Sequence, residues 1–170
     1  MKKKHTAQSV LVNVPARILV ALVWATAMLA SGDTITVINT NDSGPGSLRQ
    51  ALAAVNDGDT INFDSALNGQ TILLTTAELA IAKNVTISGP SANLLAVSRG
   101  QNAPDFRIFH VAPNHTVIIQ GMTITHGIDV TGAGIWNDHA TLTVNSCAIT
   151  GNSATESKYA VPMPALAAVS

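Results

Sequence analysis

Few side chains beyond the N-terminal segment have types and spacings suited to chemistry. They are His110, His115, His126 and His139, the acids Asp129 and Asp138, the thiol Cys147 and the indole Trp136. Acid–base cleavage of a sugar acetal needs two carboxylates facing one bond. Asp129 and Asp138 stand nine residues apart and no basic pair accompanies them. Metal binding by histidine needs a ligand spacing, usually with a carboxylate behind it. No histidine pair has that spacing, so the four read as outward or turn residues; His126 and Asp129 flank one loop, the best place for a weak site. Trp136 offers a flat apolar face of the kind that stacks on sugars, or a structural aromatic. Asn84-Val-Thr86 and Asn114-His-Thr116 match the glycosylation sequon, which a Thr- and Asn-rich chain produces by chance. No catalytic, cofactor-binding or metal-ligating residue is therefore assigned.

The elements that would carry these residues repeat. Val117-Ile-Ile-Gln-Gly-Met-Thr-Ile-Thr-His-Gly127 is followed 25 positions later by Leu142-Thr-Val-Asn-Ser-Cys-Ala-Ile-Thr-Gly-Asn152. Val117 falls on Leu142, Ile119 on Val144, Met122 on Cys147, Ile124 on Ile149 and Thr125 on Thr150. Val85-Thr-Ile-Ser-Gly89 matches the first half of the unit, 32 positions before Val117. A β-branched run alternating with period 2, broken at Gly or Asn and repeated at this interval, is one coil of a parallel β-helix. Val117, Ile119, Met122 and Ile124 are the expected inward positions, with a corner at Gln120-Gly121 where the alternation slips by one. The alignment of Cys147 with Met122 predicts a buried structural thiol.

Composition agrees. Charged residues are 11% and aromatics 4%, while apolar residues reach 46%, which excludes a disordered chain. Met1–Ala30 reads as a secretory signal: Lys2-Lys3-Lys4, then the apolar run Ile18–Ala30, about 13 residues and so short of the ~20 a membrane span needs. Ala25-Thr-Ala27 is one cleavage pattern and Ala30 or Ser31 a second end point. Without that segment five basic residues face ten acids, a net charge near −5. That argues against nucleic acid and gives no electrostatic pull toward anionic membranes. The single Cys147 excludes an internal disulfide framework.

In order, Thr34–Asn39 is an alternating strand and Asn41–Gly46 a loop. Ser47–Val55 is the one clear helix, with Ser47 as N-cap, Gln50 as its capping-box partner, and Leu48, Ala51, Leu52 and Val55 on one face. An open solenoid end needs a cover, and an amphipathic helix just before the first coil suits that task. Strands are expected at Asp59–Phe63, Thr71–Thr75, Leu79–Ile81, Val85–Ser88, Leu94–Val97 and Phe106–Val111, with a loop across Ser98–Asp105 and a turn and short strand at Gly132–Asn137. The expected organisation is a signal peptide at 1–30, an N-terminal strand and capping helix at 31–58, coils at 59–154 and an irregular tail at 155–170.

Five segments in sequence, Asn41-Asp-Ser-Gly-Pro-Gly-Ser-Leu-Arg-Gln-Ala-Leu52, Asn56-Asp-Gly-Asp-Thr-Ile-Asn-Phe63, Val85-Thr-Ile-Ser-Gly-Pro90, Gly132-Ala-Gly-Ile-Trp-Asn137 and Leu142–Asn152, resemble secreted bacterial right-handed parallel β-helix repeat proteins. These belong to the pectin-lyase-like superfold and include polymorphic outer-membrane and autotransporter-like passengers. The resemblance spans roughly 33–154 and implies an all-β, right-handed parallel β-helix of a few coils with an N-terminal capping helix. In that family Trp136 falls on a repeated structural aromatic slot. The family's hydrolases carry clustered Asp, a His-Gly and a downstream basic pair; only His126-Gly127 matches. Its lyases hold Ca²⁺ on an acidic cluster and abstract a proton with a basic residue, whereas Arg49, Lys83, Arg99, Arg107 and Lys158 are scattered. Family members usually continue through more coils to an anchor. Here the coils stop near residue 154, as a complete small protein or a truncated one would.

The resulting expectation is a secreted or cell-surface β-helix domain without a catalytic site or cofactor, with a structural, adhesive or glycan-binding role. Polysaccharide or surface glycan is the expected partner, nucleic acid is not, and the uncapped C-terminal coil offers a surface for self-association. The alternative is a polysaccharide-active lyase or hydrolase, or an inactive N-terminal piece of one.

Overall fold

In this computed structural model residues 32–154 are described; residues 1–31, on which the signal-peptide expectation falls, and residues 155–170 lie outside them. Among the described residues, alternating β-branched runs form fourteen short strands, every pairing between them parallel. The first sheet stacks β1 (Thr34–Val37), β2 (Asp59–Phe63), β5 (Val85–Ser88), β8 (Thr116–Gln120) and β12 (Thr141–Asn145). The second stacks β3 (Gln70–Leu74), β6 (Leu95–Arg99), β9 (Thr123–Thr125) and β13 (Ala148–Thr150). The third stacks β4 (Leu79–Ile81), β7 (Phe109–Val111) and β11 (Ile135–Asn137), and β10 (Ile128–Asp129) pairs with β14 (Ser153–Ala154). Consecutive strands lie in different sheets and each returns one coil further on. The chain is a parallel β-solenoid of about five turns.

The register is the one the repeat predicts. Val85 pairs with Val117 and Val117 with Leu142; Ile61, Ile87, Ile119 and Val144 form one column, and Val97, Ile124 and Ile149 another. Ile61, Ile87, Ile119, Ile124 and Met122 are fully buried, each worth about 1.5–3 kcal/mol relative to exposure. In the last described coil the same slots open outward, so Val144 and Ile149 are exposed. Cys147 is for the same reason half-buried rather than buried, its thiol donating to the Ile119 carbonyl at 3.6 Å. The corners repeat as faithfully as the strands. Positive φ occurs at Asn114 and His139, at Gly121 and Ser146, and at His126 and Gly151, each pair one 25-residue unit apart.

Side chains at the corners satisfy backbone groups of their own and neighbouring coils, which is where a stack of short strands would otherwise leave orphans. The Asp59 carboxylate accepts from the Asp33 and Asn56 amides, Asp57 from the Asn84 amide, and Asn84 Oδ1 from the Thr116 amide. Asn84, the first sequon residue, is thus a stacking residue.

Helix α1 (Leu48–Ala54) packs against β1 and β4 and buries Leu48 and Ala51. Ser47 caps it, its hydroxyl accepting from the Gln50 amide at 3.2 Å. The expected return bond from Gln50 is not made, because the Ser47 amide already donates to the Gly44 carbonyl. Two other expectations need correction. The loop drawn from Ser98 begins at Gly100, since β6 runs on to Arg99, and the strand drawn from Phe106 begins at Phe109.

Asp42 ties the loop before α1 to the first coil. Its Oδ1 accepts from Arg49 at 2.6 Å, and its Oδ2 from the amides and hydroxyls of Thr75 and Thr76 at 2.8–3.0 Å. Burial works against the charge, but the bonds from Arg49, Thr75 and Thr76 outweigh it and lower the carboxyl from 3.8 to about 2. A depressed carboxyl stabilises the fold above its unfolded value and loses that contribution as pH falls through the folded one. Stability should therefore drop by roughly 1–2 kcal/mol between about pH 4 and pH 2, after allowance for solvent screening. In urea titrations across that range Asp42→Asn should remove most of this component; an unchanged slope would refute the assignment.

Candidate functional site

The third sheet carries a cluster of charged and aromatic side chains. Here segment 106–109 is threaded between coils: the Leu79 amide donates to the Ile108 carbonyl, the Ile108 and Phe109 amides donate to the Ala133 and Gly134 carbonyls, and the Ile128 amide donates to the Phe106 carbonyl. Ile108 and Phe109 point inward and are fully buried. Their neighbours Arg107 and His110 are thereby left among side chains of the coils on either side.

Arg107 sits between two carboxylates, Nε at 2.9 Å from Glu78 Oε2 and Nη2 at 2.9 Å from Asp129 Oδ2. Glu78 precedes β4 and Asp129 ends β10, so one guanidinium joins three successive coils. His110 Nδ1 lies 3.0 Å from Glu78 Oε1, a contact that orients the ring. Trp136 pairs with His110 across β11 and β7. The two rings stack with centroids 5.6 Å apart and 28° between planes, and the Arg107 guanidinium carbon lies 4.0 Å from the indole centroid. Arg107 Nη1 and His110 Nε2 are buried without a hydrogen-bond partner. The indole covers both, and its electron-rich face takes up the Arg107 cation, worth about 0.5–2 kcal/mol. Arg107 and His110 both come from the coil before Trp136. Trp136 as a residue remains 37% exposed.

This arrangement is a flat aromatic, held from one side and rimmed by two carboxylates, an arginine and an imidazole. Aromatic stacking on apolar C–H faces, with planar polar groups for hydroxyls, is the chemistry of sugar recognition. It is poorly arranged for glycoside hydrolysis, because Glu78 and Asp129 both contact the same guanidinium and have no bond between them to act on.

The remaining residues singled out in the sequence fall elsewhere. His126 and His139 are corner residues with positive φ, as expected of turn histidines. His110 is not solvated but half-buried and paired. His139 Nδ1 contacts the adjacent Asp138 at 2.6 Å in a largely exposed pair, so Asp138 stands apart from Asp129. His126 Nδ1 lies 3.2 Å from Ser98 Oγ and 3.1 Å from Thr125 Oγ1. A serine nucleophile with a histidine base also needs a group that orients the histidine's second nitrogen. His126 Nδ1 is taken up by the two hydroxyls. Among the described residues no group of three or more His, Cys, Asp or Glu side chains is placed to hold a metal ion, and no helix is long and apolar enough to cross a membrane.

No protein-family model, curated protein or solved structure matches the chain. The fold and the site define it as a parallel β-solenoid with an aromatic and charged cluster on one side.

Proposed function

We propose that the chain is a secreted or cell-surface β-solenoid, bacterial in type, that binds glycan through the side of its coils and carries no catalytic site. The observation that carries this reading is Trp136: its indole is braced by Arg107 and His110, and the residue is still 37% exposed. β11 is the last described strand of the third sheet, so this face is left open to a ligand. The Lys-rich start and apolar run before residue 31 support export. The helix α1 fits the role of cover for the first coil, with Leu48 and Ala51 in the core. Exposed Val144 and Ile149 on the last described coil support self-association there, which sedimentation at rising concentration would register as a growing mass.

A polysaccharide-active enzyme, or an inactive piece of one, is the second reading. It draws on the Ser98–His126 contact, and turnover of a polysaccharide abolished by Ser98→Ala would favour it.

Trp24 and Trp136 are the two tryptophans of the chain. With Trp24→Phe, indole fluorescence reports Trp136 alone. Titration with oligosaccharides of β-glucan, xylan and mannan should give a saturable change with at least one. Trp136→Ala should weaken that ligand at least about tenfold by calorimetry, equivalent to ~1.4 kcal/mol. Fluorescence indifferent to every sugar would oppose the proposal.

A further inference from the structure

The geometry points to a second binding site, for a carboxylate, in the groove beside Arg99. This site is independent of Trp136 and of the reading built on it. Arg99 occupies a slot that belongs to the core: in the register of β3 and β6 it lies directly over Leu74, which is fully buried. Arg99 itself is 7% exposed. A guanidinium in such a slot loses its hydration, a loss that calls for a compensating charge.

Its bonds are to carbonyls. Nε donates to the His126 carbonyl at 3.0 Å, and Nη1 to the Gly100 and Ala103 carbonyls at 3.0 and 2.8 Å. These satisfy N–H groups and bind the chain after β6 to the next coil, but a carbonyl carries no net charge. Nη2 takes part in none of the three. Arg99 lines a groove of about 340 Å³ together with Leu73, Ser98, Gln101 and His126. A second hollow of about 410 Å³, reaching to Thr75 and Asn102, shares Leu73 and Gln101 with it.

The walls are therefore mixed. Arg99 brings one buried cation, Ser98 and Gln101 bring a hydroxyl and an amide, and Leu73, 47% exposed, supplies an apolar floor. A carboxylate on a ligand the size of one sugar ring meets all of these, since a guanidinium N–H donates to a carboxylate oxygen more strongly than to a neutral acceptor. The carboxylate could belong to a free organic acid or to an acidic sugar.

Calorimetry on the full chain at constant ionic strength, with D-glucuronate, acetate and D-glucose up to about 10 mM, tests this. Glucuronate should bind at least about tenfold tighter than glucose. Acetate matching glucuronate would assign the site to small acids in general, and glucuronate binding without acetate would assign it to acidic sugars; both support the inference. Arg99→Met should abolish binding, but it also removes the carbonyl bonds and can unfold the coil. Leu73→Glu leaves those bonds in place and sets a competing carboxylate at the groove, so it should fold normally and weaken glucuronate at least tenfold. Equal binding of glucose and glucuronate, no binding of either acid, or Leu73→Glu binding like wild type would each overturn the inference and leave Arg99 as a loop fastener only.

Discussion

Ile124→Asp is expected to unfold the chain, while Ile149→Asp, in the same slot one coil later, should fold with nearly unchanged stability. Ile124 is fully buried and stacks between Val97 and Ile149. A carboxylate there would be sealed from water with no cation beside it. The loss should exceed about 4 kcal/mol, a large share of the ~5–15 kcal/mol that holds a domain together. Ile149 is 52% exposed, so an aspartate at that position reaches solvent and costs roughly 1 kcal/mol or less. Urea unfolding followed by circular dichroism separates the two. Equal losses would mean that the last described coil is covered as fully as the one before it.

The second large effect belongs to a corner. Gly89→Ala should destabilise by about 3 kcal/mol or more and Gly44→Ala by about 1 kcal/mol. A Cβ on Gly89 would lie 2.2 Å from the Gly121 carbonyl oxygen, and one on Gly121 would lie 2.4 Å from the Gly89 oxygen. The two coils therefore meet backbone to backbone, and the Gly89 amide donates to the Gln120 carbonyl at 2.9 Å beside the contact. Separating them to fit a methyl would pull apart β5 and β8 on one side of the corner and β6 and β9 on the other. Gly44 has φ +90° but nothing within 4 Å of its would-be Cβ, so it carries only the cost of a left-handed backbone. Thermal unfolding of both variants gives the comparison, and a Gly89→Ala protein as stable as Gly44→Ala would contradict the close approach.

The solenoid was legible because its determinants are local and repeated. Alternation in Val85–Ser88, Val117–Ile119 and Leu142–Val144 states which residues face inward, and a repeat of 25 or 32 residues states which lie over one another. The observed pairing follows both. The cluster around Trp136 was not legible: Arg107, His110, Asp129 and Trp136 were in view, but Glu78, which joins Arg107 to His110, was not. Glu78, Arg107, His110, Asp129 and Trp136 are scattered along the chain and meet only by stacking. On the third sheet the coils advance by unequal steps, with His110 thirty residues after Ala80 and Trp136 twenty-six after His110, which hides the column from a search at fixed period. Aligning the apolar pairs Leu79 and Ile81, Phe109 and Val111 would have placed Ala80 and His110 in one column. Arg99 was masked differently: the alternation of Leu95 and Val97 reaches it only if the strand is carried two residues beyond the apolar run, which the polar Ser98-Arg99 pair hides.

The proposed role rests on Trp136 as a sugar platform, and a glycan array probed with the chain and with Trp136→Ala side by side tests it most directly. The account predicts that the chain retains a defined subset of glycans and that the variant, with an unchanged circular dichroism spectrum, loses it. Retention of the same glycans by both proteins, or of none by either, would contradict it.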